Sequence, residues 1–144
     1  MNAGLDPVTI ASRIRLPEHL AEKPFLKEFY GMAAYASRAY FAGTLGWFDG
    51  NPTSLHQLPP AAAATRYIGL MGGAQNVLKA AQEALASDEA QWAMELADHL
   101  IAANAETTEA CKVKANALRV LADRTINAPT RNYFLLSARE LESV

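Results

Sequence analysis

The amino-acid sequence predicts an all-α fold, an antiparallel bundle of about six to seven helices with a tetratricopeptide-like hairpin towards its C-terminal end. Three observations carry this. Alanine, the best helix former, is abundant. β-branched residues are sparse and never alternate with polar ones, so no strand is read. Apolar residues recur at three- and four-residue spacing in segments bounded by proline and glycine. The 144 residues amount to one domain, 51% hydrophobic and 19% charged, which is a packed composition rather than a disordered one.

The helices are read in order. Asp6 and Pro7 form an N-cap and N1 pair, opening a short helix to about Ile14 that Pro17 closes. A second helix is predicted from Pro24 to about Gly43, with Leu26, Phe29, Tyr30, Ala33, Ala36, Tyr40 and Phe41 on an aromatic face. Tyr35 and Arg38 extend that face sideways, and Ala33, Ala34, Ala36 and Ala39 allow another helix to approach closely. The residues Leu55 to Leu58 form a linker, and Pro59-Pro60 opens a third helix with Ala63, Tyr67, Ile68 and Met71 on its apolar face, ended by Gly72-Gly73. A fourth helix runs from Ala74 to Leu85. Ser87-Asp88 is read as the cap of a helix to Ala102 with Trp92, Ala93, Leu96, Ala97, Leu100 and Ile101 inward. Glu106 to Arg124 follows, with Ala110, Val113, Ala117, Leu118 and Leu121 inward. These two helices resemble a tetratricopeptide hairpin, but only about one and a half units fit, short of a solenoid or a peptide-binding groove. Pro129 opens the closing helix, with Tyr133, Leu136 and Leu141 inward. The expected organisation is a single helical domain over 1–144: an opening segment over 1–23, the aromatic helix and its sequel over 24–86, and the hairpin with its closing helix over 87–144.

The segment from Tyr40 to Pro52, Tyr-Phe-Ala-Gly-Thr-Leu-Gly-Trp-Phe-Asp-Gly-Asn-Pro, is the most specific stretch. Gly46 and Gly50 permit positive φ and Pro52 ends helix propagation, so a helix end is followed by a tight turn. Turns ordinarily carry small polar residues. Trp47 and Phe48 are large apolar groups that plug into another surface, the chain's own core or that of a partner.

Bulk properties exclude several classes. A net charge of −2 and a pI near 5.9 argue against nucleic acid, which selects a clustered basic face. No segment reaches the ~18 uninterrupted apolar residues of a membrane span. The first residues lack the basic and apolar regions of a secretory signal, so the default location is cytoplasmic. The single Cys111 permits no internal disulfide, and its apolar setting points to a buried structural thiol. His19, His56 and His99 are far apart, with no pair at metal-ligand spacing, so a hydrolytic zinc site is not expected and neither catalytic nor metal-ligating residues are assigned. Asp49 and Asn51 belong to the turn rather than to a metal site.

The motif Leu45-Gly-Trp-Phe-Asp-Gly-Asn-Pro52, preceded by Phe29-Tyr-Gly31, resembles the dimerisation domain of the alkyl sulfatases. The segments Leu16-Pro-Glu-His-Leu-Ala21, Leu58-Pro-Pro60, Leu70-Met-Gly-Gly73, Arg131-Asn-Tyr-Phe-Leu135 and Ala138-Arg-Glu-Leu141 agree with it, so the resemblance runs from about residue 4 to residue 142. It implies a homodimerisation module of a sulfatase-like hydrolase, with Tyr35, Tyr40, Trp47 and Phe48 at the dimer interface. It also implies a metallo-β-lactamase-type catalytic domain as a possible partner. No cofactor is expected in this chain, and zinc is implied only for that other domain. As part of a full-length sulfatase the chain would be periplasmic or secreted.

The alternative is a helical piece that completes the substrate cavity of a zinc-dependent alkyl sulfatase. Arg131, in the first turn of the closing helix, is then the first candidate for contacting sulfate, because a helix N-terminus and a guanidinium both favour an anion. Tyr30 and His19 are the further substrate-binding candidates by resemblance. Met32 stands where family members often carry threonine and cannot donate a hydrogen bond.

Overall fold

The computed structural model describes residues 4–143, and among them eight α-helices, two 3₁₀ turns and no strand. The chain divides into two compact units, Met1–Gln57 and Leu58–Val144.

In the first unit, α1 spans Pro7–Arg13 and α3 spans Ala33–Leu45, and the two pack together. Asp6 caps α1: its carboxylate accepts the Val8 and Thr9 amides at 2.9 Å, with Pro7 in the first turn. A one-turn helix, α2, spans Glu18–Ala21 and carries His19. The expected helix from Pro24 to Gly43 is broken. Pro24–Leu26 is a 3₁₀ turn, Lys27 is extended, and the regular helix starts at Ala33. The cause is a cap unseen in the helical pattern. Glu28 reaches forward and accepts the Ala33 amide at 2.6 Å, while Met32 supplies no side-chain cap. Phe29 and Tyr30 therefore do not share a helical face with Tyr40 and Phe41. Pro52–His56 is a 3₁₀ turn that takes in the first two residues of the linker expected over Leu55 to Leu58.

The second unit stacks five helices: α4 (Pro60–Leu70), α5 (Ala74–Ala86), α6 (Ala90–Ala102), α7 (Thr107–Arg124) and α8 (Ala128–Glu142). From α5 onward each packs on its sequence neighbour, and α4 lies against α5 and α6. One continuous core runs through it, from Ile68, Val77 and Leu78 through Leu96 and Leu100 to Val113, Leu118 and Ala138. Many of its members are alanines, which lets the helix axes come close. Cys111 is buried on α7.

Three successive helices end in the same way. After α4, Gly72 takes φ 87° and the Gly73 amide donates back to the Ile68 carbonyl. After α5, Asp88 takes φ 70° and Glu89 donates to Ala84; after α6, Asn104 takes φ 53° and Ala105 donates to Leu100. Each is a left-handed residue closing a helix with a six-to-one bond. Asp88 thus ends α5 instead of capping α6. Its carboxylate pairs with the Arg124 guanidinium at the far end of α7. The start of α8 is capped by Asn127, a buried polar residue, whose side-chain oxygen accepts the Thr130 amide at 3.0 Å and the Thr130 hydroxyl at 2.6 Å.

Several residues expected inward face out. Tyr133 and Leu136 are exposed, as are Trp92, Tyr67 and Met71, and α8 turns Ala138 into the core with Phe134 and Leu141 alongside. A helix seated on an alanine-lined partner presents its smallest residue at the crossing, so its large side chains splay to the flanks.

Candidate functional site

The Trp47 turn has its local geometry fixed by its polar residues. Asp49 accepts the Asn51 amide at 2.9 Å and the Ser54 hydroxyl at 2.9 Å through its two oxygens. Asn51 accepts the Thr53 amide at 3.2 Å, capping the 3₁₀ turn that Pro52 opens. Both carboxylate and amide are turn residues, as expected. Gly46 and Gly50 take φ of 80° and 90°.

This scaffold holds Trp47 against Phe48 edge-to-face, ring centroids 5.9 Å apart at 69°. Trp47 is 74% exposed, so it is not plugged into the chain's own core. Tyr35 and Tyr40 on α3 are also exposed, at 47% and 65%. Five residues separate them, which is roughly 140° around the helix, so they stand on different sides of it. Phe25, Tyr30, Leu45 and Leu55 add to the exposed apolar residues of this unit. Phe25, at 81%, is the most exposed aromatic and was not singled out from the sequence. A phenylalanine straight after a proline, outside any amphipathic pattern, is the signal that could have found it.

The three residues considered for sulfate belong to different elements. His19 is exposed in the last turn of α2 and Tyr30 is exposed before α3, both in the first unit. Arg131 belongs to the second, near the start of α8. It is half exposed, with the Asp123 carboxylate 3.7 Å away. The α8 N-terminus is already largely used by the chain: position 129 is proline, Thr130 donates to Asn127 and the Arg131 amide donates to the Asn127 carbonyl at 2.9 Å. In the second unit, an open groove of about 360 Å³ lies between the start of α6 and the end of α7, lined by Asp88, Glu89, Trp92, Glu95, Leu121 and Arg124. Among the described residues no three His, Cys, Asp or Glu side chains converge on a metal-sized position, so the donor set does not fit a zinc ion here. No helix among them is long and apolar enough to cross a membrane.

The chain is thus all-α among its described residues, with Phe25, Tyr30, Tyr35, Tyr40 and Trp47 exposed on the first unit and Tyr67, Trp92 and Tyr133 on the second. The family described as "Alkyl sulfatase dimerisation" matches residues 6–144, and the chain belongs to that family. It is 41% identical over 143 residues to the linear primary-alkylsulfatase of a Pseudomonas species, covering 99% of this chain and 27% of that protein. It is 31% identical over 141 residues to an alkyl/aryl-sulfatase of Saccharomyces cerevisiae, covering 98% of this chain and 22% of that one. The solved structure of the stereoselective inverting sec-alkylsulfatase Pisa1 from Pseudomonas sp. superposes with a TM-score of 0.93 at 37% identity, over 99% of this chain and 23% of that one. The chain therefore spans about a quarter of the relatives it matches.

Proposed function

We propose that this chain is the homodimerisation module of an alkyl sulfatase-like hydrolase, and that the metal-dependent chemistry resides in another domain. The observation that carries this is the exposed aromatic set of the first unit, Phe25, Tyr30, Tyr35, Tyr40 and Trp47. Monomers rarely leave such apolar surface uncovered, and Trp and Tyr dominate the energetics of protein interfaces. Membership of a family described by dimerisation supports a second copy as its cover. A two-fold interface of this kind buries on the order of 1,600 Å² or more.

The test is absolute mass by light scattering over a dilution series. A species near twice 15.6 kDa that persists on dilution is expected. Trp47→Ala should weaken association by about 2 kcal/mol, roughly thirtyfold in Kd. A monomer at every concentration refutes the reading.

A second reading is supported by one observation, the half-exposed Arg131 guanidinium with its nearest carboxylate at 3.7 Å. In a complete hydrolase it would contact the sulfate group of an alkyl sulfate. Arg131→Ala there should cut kcat/KM while leaving mass and folding intact. Undiminished turnover removes Arg131 from the substrate site.

A further inference from the structure

We infer that residues 4–57 become ordered only by pairing with the same segment of a second copy, chiefly through α3, whereas the second unit folds by itself. This rests on the dimer reading above and adds to it that dimerisation and folding of the first unit are one event.

The first argument is the missing core. Among the described residues of the first unit only Ala11 and Phe41 are buried. Segments of roughly 60 residues or fewer are marginal even with a full core, and those without one rely on disulfides, metals or oligomerisation. This segment has no cysteine, and no metal-sized donor cluster occurs among the described residues. A second copy, which membership of a family described by dimerisation supports, would supply the missing buried surface. The second unit, by contrast, has the continuous core described above.

The second argument is α3 itself. Its sequence, AAYASRAYFAGTL, carries a single charge, Arg38, and has apolar residues on every side. Helices apolar all round belong in interiors. Here only Phe41 is buried, and Tyr35, Ala36, Ala39, Tyr40, Ala42, Gly43 and Leu45 face out.

The third argument is Gly43. A glycine within a helix is a net cost against alanine. A Cβ at this position would meet nothing in the chain, so no contact of its own requires the glycine. With Ala36 and Ala39 at helical spacing it makes a seam on which a second backbone can lie close, flanked by Tyr40. A second α3 fits this seam by symmetry, since in a two-fold pair the same patch serves both copies.

The test follows the intact chain through a urea series at two concentrations a hundredfold apart. Peptide-resolved hydrogen exchange and light scattering are read in parallel. The expected result is that peptides from 4–57 lose protection as the mass halves, with a midpoint that rises with chain concentration. Peptides from 58–143 should unfold separately, at a concentration-independent midpoint. First-unit peptides that stay protected after the mass has halved overturn the inference and leave the dimer reading standing. A mass near 15.6 kDa under all conditions overturns the dimer reading, and the second copy as occupant with it.

Discussion

The two units of this chain differ in how much of their apolar surface they gather into a core. In the second, α5 to α8 send alanines, leucines and valines into one core, although Trp92, Tyr133 and Leu136 stay at its surface. In the first, the largest aromatics lie outside and the buried residues described are Ala11 and Phe41. The difference is not one of composition, since both are rich in alanine and apolar residues. It lies in periodicity. α5 confines its apolar residues to one stripe, with Val77, Leu78, Ala81 and Ala84 buried, whereas α3 distributes them around its circumference. One pattern builds a core within the chain, and the other leaves nearly all of its apolar side chains at the surface.

The sharpest way to break this contrast is to remove one large side chain from each unit. Leu100 is fully buried, and Leu100→Ala should cost about 2–5 kcal/mol, seen as a lower urea midpoint for the second unit at any chain concentration. Leu45→Ala, at a half-exposed position, should leave an isolated chain within about 0.5 kcal/mol and act only through association. Equal losses in a dilute monomer would erase the distinction.

A smaller effect is expected at the start of α8. Asn127→Ala removes a buried cap and strands the Thr130 amide, costing about 1–2 kcal/mol in the second unit's thermal unfolding. The smallest effect is a pH dependence confined to the first unit. The Thr9 side chain and amide, then the Val8 amide, hold the Asp6 carboxyl below its ordinary 3.8. A depressed carboxyl stabilises the fold above its unfolded value and loses that contribution as pH falls through the folded one. Exchange protection over Pro7–Arg13 should therefore be flat above about pH 5 and fade only below pH 4. Asp6→Asn, which keeps the cap without the charge, should flatten the acid limb.

Much of the second unit was legible in the sequence. The helices after Pro59, Gly73 and Asn104 begin and end within a few residues of their expected bounds, because their apolar stripes are regular and the Gly72-Gly73 pair announces a left-handed helix end. The same device was hidden after α5 and α6, where Asp88 and Asn104 take the left-handed position. Asp88 was read as a cap because aspartate serves both purposes, and only the chain path decides between them. In the first unit the helix expected from Pro24 failed at Lys27, where the Glu28 side chain takes the Ala33 amide across five residues. A bond from outside a helix leaves no periodic trace. Trp47 and Phe48 are unusual in a turn, and that Trp47 faces out while Phe48 is half-buried is visible only with the turn geometry that Asp49 and Asn51 impose.

Cys111 has a use that follows from its burial on α7. It is the sole sulfhydryl of the chain, so a thiol reagent has one target, and that target is shielded while the surrounding helices are closed. The rate at which the label arrives is then a clock for opening of the second unit alone, silent about whatever happens around Trp47. Run beside a mass measurement, that clock would time the two halves separately in the same sample, with no residue altered to do it.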